Sequence, residues 1–275
     1  MAPAIGCNIV HPLCDKAEMY TREVYLERLT AYRDYGFQHV EFSHVTAINE
    51  SDAAALREHS RRIGIVPWSV HSEHLNAPGS AALAEYLRIQ THCARVARNL
   101  GTAAYVCHVP NLQPWAADPQ RDVDILNRLA DITDAHGLTL AVETGPATDY
   151  VIEVVDRIHR PTVGVNLDSG HTFLLGENPA DAARRIGPRL VTTHLQDNLG
   201  KNDDHQAPGT GLIDWPQLLR AVLATGYAGP LMVELTGEGV KARRSSEAMR
   251  TFPLDKEIVF TISWLRHVLR EIDRA

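Results

Sequence analysis

Several acidic and imidazole side chains stand directly behind short apolar runs, where a parallel strand would deliver them to one rim. Glu143 follows the run at 139–142, Asp168 the run at 163–167, His194 the run at 190–193, and Glu234 the run at 231–233. Two further runs end in His71 and in Cys107-His108, and Glu41 closes another at 38–42. A lone carboxylate behind a strand is ordinarily a helix cap or a loop ion-pair partner, and a lone histidine is ordinarily structural. Three carboxylates on one rim are a different matter, because they repel one another strongly without a cation between them. Glu143, Asp168, His194 and Glu234 are therefore read as ligands of one divalent metal. An oxygen-rich set with a single imidazole suits Mn2+ first, with Mg2+, Co2+ or Zn2+ as alternatives.

The elements that must position these groups are legible in the hydrophobic pattern. Eight short apolar runs, at 4–9, 38–42, 65–70, 103–107, 139–142, 163–167, 190–193 and 231–233, have the character of fully buried parallel strands. Helical periodicity is clearest at 81–100, where Leu83, Tyr86, Leu87, Cys93, Val96, Ala97 and Leu100 recur on one face. Further helices are expected at 22–35, 52–62, 121–136, 150–159, 179–186, 215–225 and 256–273. Gly36, Gly64, Gly101, Gly137 and Gly226 follow five of the helices, where a left-handed residue is wanted. Eight alternating strand–helix pairs predict an α/β protein, a (β/α)8 TIM barrel filling residues 1–275 as one domain. The structural alternative, a doubly wound open sheet, lacks its expected glycine-rich phosphate turn after the first strand. In a barrel, active sites lie at the carboxyl ends of the strands, where the candidate residues fall. The two longest irregular segments, 196–213 and 235–254, are long enough to be functional loops.

Composition narrows the function classes. The 275 residues are 44% hydrophobic and carry a formal charge of -7 without a block of like charge. A protein built to grip duplex DNA usually carries a basic footprint, and none is visible, so no nucleic-acid partner is expected. Cys7, Cys14, Cys93 and Cys107 lack the spacing of a disulfide framework or a zinc knuckle and read as free thiols of a reducing compartment. No signal peptide and no membrane span are recognised, so a cytoplasmic protein without a membrane partner is expected. A homo-oligomer is compatible with the sequence, but no pattern specifies a stoichiometry.

The ordered motifs Val142-Glu143-Thr144, Asn166-Leu167-Asp168-Ser169-Gly170-His171, His194-Leu195-Gln196-Asp197-Asn198, Asp203-Asp204-His205-Gln206-Ala207-Pro208-Gly209-Thr210-Gly211 and Val233-Glu234 span most of the chain. Through them the chain resembles the xylose isomerase-like TIM barrel superfamily, which includes sugar phosphate isomerases and epimerases and, as relatives, the endonuclease IV-type enzymes. The resemblance implies that Glu143, Asp168, His194 and Glu234 hold one metal and that His171, Asp203 and His205 line the site. In the endonuclease branch, His71, His108, His171, Asp203 and His205 would match ligands of further zinc ions. In the isomerase branch the same positions commonly serve substrate hydroxyls.

The leading expectation is an isomerase or epimerase acting on a small sugar or related polyhydroxy ketone or aldehyde. Proton transfer would run through a metal-stabilised enediolate, with Glu143 and Glu234 as the catalytic pair. His171, His108, His71, Asp203, His205 and Glu41 are the candidate substrate-binding residues. Trp68 and Trp115 are weaker candidates for an apolar wall, as are His44, His74 and Lys201 for contacts. One alternative is a lyase or dehydratase on a keto-sugar or inosose, including a C-glycoside deglycosidase-like subunit. The other is an endonuclease IV-like phosphodiesterase at abasic sites. Against the latter stand the net charge and the sequences His108-Val109-Pro110 and Glu143-Thr144-Gly145-Pro146, which depart from that branch's pattern. Glu238 within Thr236-Gly237-Glu238-Gly239 argues against a phosphorylated substrate, unless Lys201, Lys241, Arg243 or Arg244 folds inward.

Overall fold

Each of the eight apolar runs forms a strand. The computed structural model describes residues 3–11, 13, 17–73, 80–110 and 118–274; the readings of Cys14, His74 and Trp115 lie outside them. The strands are β1 (Ile5–Asn8), β2 (His39–Phe42), β3 (Val66–His71), β4 (Ala104–His108), β5 (Thr139–Glu143), β6 (Val163–Asp168), β7 (Leu190–His194) and β8 (Leu231–Val233). All paired neighbours are parallel, in the order β7-β6-β5-β4-β3-β2-β1-β8. The barrel closes between β7 and β8 by a thinner seam. Leu195 N–H donates to Met232 O at 2.8 Å and Glu234 N–H to Leu195 O at 3.2 Å. Where regular pairing stops, the Thr193 hydroxyl takes over, accepting from Met232 N–H at 3.0 Å and donating to Met232 O at 3.2 Å.

Between the strands run α1 (Arg22–Tyr35), α2 (Glu50–Ile63), α3 (Ser80–Leu100), α4 (Pro119–Ala135), α5 (Thr148–Ile158), α6 (Ser169–Leu174), α7 (Pro179–Ile186), α8 (Trp215–Ala224), α9 (Glu238–Lys241), α10 (Glu247–Thr251) and α11 (Leu254–Arg274). Their starts are set by side-chain caps: Thr21, Asn49, Asp118, Asn178 and Asp214 each accept a backbone N–H of the first turn. The five expected glycines all have positive φ. At Gly36 (φ 101°) the left-handed backbone turns the N–H back onto Arg33 O and Tyr32 O, ending α1. Two features differ from the sequence reading. The segment after β6 forms the short helix α6, and the loop after β8 contains α9 and α10 rather than being irregular throughout.

Strand residues alternate between the helices and the barrel axis. Phe42 packs outward on Tyr25 of α1, with ring centroids 4.9 Å apart. Residues of the opposite parity turn inward, and many are polar: Glu41, Ser69, Glu143, Asn166, Asp168, Thr192 and His194 are fully buried. Register slips at Val40/Glu41 and at Val165/Asn166 bring Glu41 level with Ser69 and Asn166 level with Thr192, so that inward layers meet. The apolar core thus lies between strands and helices, while the axis toward the carboxyl end is charged. Trp68 lies low in this interior, donating from its indole to Thr192 Oγ1 at 3.1 Å and meeting His39 edge-on. It is not a wall over the carboxyl-end rim. No helix among the described residues is long and apolar enough to cross a membrane.

Replacing Thr193 by the near-isosteric Val should leave Met232 N–H buried without its acceptor and cost about 1–3 kcal/mol of stability. Urea denaturation checks this, and a Thr193→Val protein as stable as the parent would mean the seam does not depend on the hydroxyl.

Candidate active site

His194, at the end of β7, is the hub of the site. Its Nε2 lies 3.1 Å from Glu41 Oε1 and 3.2 Å from Oε2. Its Nδ1 lies 3.2 Å from Glu143 Oε2 and 3.3 Å from Glu234 Oε2. The ring stacks on His71 at 5.5 Å. Glu41 is itself held by the Ser69 hydroxyl at 2.7 Å and is fully buried. Glu41 is expected on the rim, either to bind substrate or to brace a basic neighbour; the structure places it beneath His194, against that ring. A carboxylate on Nε2 fixes the N–H there and leaves Nδ1 as the lone-pair nitrogen aimed at Glu143 and Glu234.

Asp168 completes the group from the end of β6. Each of Glu143, Asp168, His194 and Glu234 offers a ligand atom within 4.8 Å of the others. Glu143 Oε1, His194 Nδ1 and Glu234 Oε2 are buried and make no hydrogen bond. Orphaned buried polar atoms that converge on one point are costly unless something fills the space between them, and a divalent cation with oxygen and imidazole ligands fits this set. His71, His108 and Glu143 form a second such group, and Asp168, His171 and His205 a third.

The surrounding side chains hold these four groups in place. Asn166, two residues before Asp168 and so on the same face of β6, donates to Glu143 Oε2 at 3.2 Å. The backbone N–H of His171 caps onto Asp168 Oδ1 at 2.7 Å, and Gln196 Nε2 reaches the same oxygen at 3.3 Å. Gln196 can do so because residue 170 is glycine: a Cβ there would sit 2.1 Å from the Gln196 side chain. His171 Nδ1 lies 3.1 Å from Glu143 Oε1, and its Nε2 hydrogen-bonds Asp203 Oδ2 at 3.1 Å. His205 faces Glu234 Oε2 through Nε2 at 3.1 Å and Asp203 Oδ1 through Nδ1 at 3.3 Å. His71 and His108 approach Glu143 at 3.3 and 3.5 Å. On β1, Asn8 donates to Leu235 O at 3.0 Å and accepts from Leu235 N–H at 2.9 Å, clamping the backbone beside Glu234.

Two residues organise the loops in ways the sequence does not indicate: Asp197 reads there only as part of a motif, and Arg244 only as a cation that could meet a phosphorylated substrate. The buried Asp197 carboxylate accepts from the backbone N–H groups of Gly209 and Gly211 and from the Trp215 indole at 2.8–3.0 Å. This gives the Pro-Gly-Thr-Gly segment its shape. Arg244 donates to Asp204 O at 2.9 Å, to His205 O at 2.8 Å and to both Glu257 oxygens at 2.8 Å. It ties the loops after β7 and β8 to α11. His205 has φ 42°, an uncommon conformation for a non-glycine residue, and Arg244 holds its carbonyl.

Above the ligand set opens a cavity of about 460 Å³. Glu143, Glu234, His71, His108, His171, Asp203 and His205 reach its wall, whereas Asp168 and His194 lie beneath it. Its other side carries Ser43, His44, Ser72 and Glu73 from the ends of β2 and β3. Of these, sequence reasoning had named only His44; the placement of such common polar residues after strands was the one available signal.

The electrostatics follow from burying so many charges together. Burial opposes ionisation of Glu143 and Glu234, yet the facing histidines hold both well below the usual carboxylate range. Burial, with Glu143, Glu234 and Asp203 nearby, pushes Asp168 up to about 7 against the pull of His171. Burial disfavours the imidazolium forms, but the carboxylates outweigh it: His194 and His171 are held well above the ordinary value, and His71 and His205 are raised to about 9.

The sequence matches the family described as xylose isomerase-like TIM barrel over residues 29–266. The chain belongs to that family. It is 36% identical over 119 residues to an uncharacterised protein of Sinorhizobium fredii, covering 40% of this chain and 38% of that one. It is 28% identical over 142 residues to an inosose isomerase of Bacillus subtilis, covering 47% of this chain and 51% of that one. The chain therefore spans about half or less of these two relatives' lengths. A D-psicose 3-epimerase from Clostridium cellulolyticum, solved with D-tagatose, superposes with a TM-score of 0.77 at 17% identity, covering 97% of this chain and 99% of that one, a likeness of fold.

At pH 7 the metal-free site should hold protons on His194 and partly on Asp168, both of which a metal must displace. Mn2+ binding should therefore release at least one proton, and affinity should fall about tenfold per pH unit lowered for each proton displaced. Calorimetry in buffers of different ionisation enthalpy measures this; binding without proton release would contradict the ligand assignment. Glu41→Gln should weaken Mn2+ binding about 10–100-fold, as loss of a partner orienting a metal-ligating histidine does. Unchanged affinity by the same titration would show that Glu41 does not tune His194.

Proposed function

We propose that this protein is a divalent-metal-dependent isomerase or epimerase of a small sugar or a related polyhydroxy ketone or aldehyde. The observation that carries this reading is the pair Glu143 and Glu234. They stand on strands three apart around the barrel, converge on His194 Nδ1 and both open into one polar cavity. The names of an inosose isomerase and a ketose 3-epimerase among its relatives and fold neighbours support chemistry next to the carbonyl of a polyol.

A divalent cation held by Glu143, Asp168, His194 and Glu234, Mn2+ being preferred, would supply Lewis acidity toward a substrate carbonyl and its neighbouring hydroxyl. Glu143 and Glu234 are ionised, the state in which a carboxylate can accept a proton. One takes the proton from the carbon beside the carbonyl, and the other returns one. Return to the opposite face of the same carbon gives an epimer; return to the adjacent carbon gives an aldose–ketose isomer. His171, fixed through Nε2 by Asp203, directs Nδ1 toward Glu143 and the cavity and is placed to bond a substrate hydroxyl or the developing oxyanion. His205 holds Glu234 in the same way. His71 and His108 complete the wall beside Glu143.

A second reading, phosphodiester cleavage by several ions, draws on the two further histidine–carboxylate groups around Glu143 and Asp168. Metal content separates the two readings. About one Mn2+, Mg2+ or Co2+ per chain, lost in Glu143→Ala, is expected for the isomerase; two or three Zn2+ per chain would favour the phosphodiesterase. With a panel of ketoses and inososes in D2O, deuterium should enter the carbon beside the carbonyl. Glu143→Gln and Glu234→Gln should each lower the exchange by about 10²–10⁴-fold. Retained turnover in either variant would sink the paired-carboxylate scheme, and loss of a hydroxyl from the product would move the assignment to a lyase.

A further inference from the structure

The cavity has two unlike sides. One is the histidine–carboxylate cluster of β5–β8. The other is built from the residues that follow β2 and β3, which the mechanism above does not use. His44 Nδ1 lies 3.7 Å from Glu73 Oε1, and the His44 ring packs on Tyr20 at 4.9 Å. His44 is held at φ 57°, ψ 43°, one of three described non-glycine residues with positive φ. Such conformations persist where the surroundings over-determine them, often around ligands. Ser43 and Ser72 flank this pair on the wall. The side therefore offers hydroxyls, an imidazole and a carboxylate.

No Lys or Arg lines the cavity among the described residues. A barrel phosphate site would normally draw on the loops after the last two strands, and here their cations are otherwise engaged. Lys241 is buried, with Nζ 3.3 Å from Glu257 Oε2 and bonded to Phe252 O. Arg244 is buried on Glu257 and the carbonyls of residues 204 and 205. Lys201 and Arg243 are exposed and off the cavity wall. A phosphate brought to Glu73 would lose hydration against a like charge. A hydroxyl can donate to Glu73 and accept from His44.

We propose that Ser43, His44, Ser72 and Glu73 form the subsite for the end of the substrate remote from the reacting carbons, and that it takes an uncharged, hydroxyl-bearing end and excludes phosphate esters. The inference rests on the reading of the β5–β8 cluster as the reacting side.

The test compares D-tagatose and D-fructose with their 6-phosphates on Mn2+-loaded protein, by calorimetric binding and by deuterium uptake from D2O. The parent protein should bind the free sugars about 100-fold more tightly than the esters. Glu73→Lys should narrow that ratio to under about tenfold by gaining affinity for the esters. Glu73→Gln, the smaller change should Glu73→Lys fail to fold, should narrow it partway. Equal or tighter binding of the esters by the parent overturns the proposal. So does a ratio that Glu73→Gln and Glu73→Lys leave unchanged, or failure of every sugar to bind. Preferential binding of free sugar without deuterium uptake would uphold the subsite while overturning the proton-transfer reading.

Discussion

Four carboxylates buried around one imidazole set the terms for the rest of this structure. His194 touches Glu41 on one side and Glu143 and Glu234 on the other, with Asp168 close by. In a low-dielectric interior an uncompensated charge costs several kcal/mol, so such a cluster persists only with matching positive charge. Without a cation, the raised imidazoles of His194, His171, His71 and His205 supply it. A divalent cation at the same point would supply it instead, and the ring nitrogen facing the cluster would then be free of its proton. Ion and protons are thus alternative solutions to one electrostatic problem, and the inward polar layers of the barrel are arranged around it.

That arrangement demands rigidity from segments with little regular structure. The loop after β7 carries Asp203 and His205, and its backbone polar groups are satisfied by buried side chains in place of a ladder. Asp197 gathers the N–H groups of the glycine-containing turn, and Arg244 takes the carbonyls of residues 204 and 205. The Arg244–Glu257 pair is buried, with Nη1 donating to both carboxylate oxygens in a charge-assisted contact stronger than a neutral hydrogen bond. Through it α11, remote in sequence from β7, helps hold the histidine that faces Glu234.

The cavity above the cluster draws on two sets of strand ends. Glu143 ends β5 and Glu234 follows β8, whereas Ser43, His44, Ser72 and Glu73 follow β2 and β3, the strands that also carry Glu41 and His71 of the charge cluster. Fold likeness to a ketose 3-epimerase speaks to the framework alone, because a fold does not fix a function.

The barrel was legible in the sequence because its signals are local. Short apolar runs, helical periodicity and glycines after helices each reflect a neighbourhood of a few residues, and family motifs placed the chemistry at strand ends. Two structured pieces escaped this reading for a related reason. Helix α6 forms because Asp168 caps it, and α9 and α10 lie among loop residues whose order depends on contacts with α11. The roles of single residues depended still more on distance. Glu41 reads like any other strand-end carboxylate, yet it lies beneath His194, held by the Ser69 hydroxyl of the neighbouring strand. Trp68 resembles a cavity aromatic but lies low in the barrel beside Thr192. Lys241 and Arg244 are ordinary loop cations until Glu257, from another element, claims them. By itself the sequence determined which elements form and which chemical groups stand at their ends, since propensity and periodicity act along the chain. Only the tertiary structure decided which of those groups face a cavity and which face each other, because that depends on strand register and on charges brought together across the barrel.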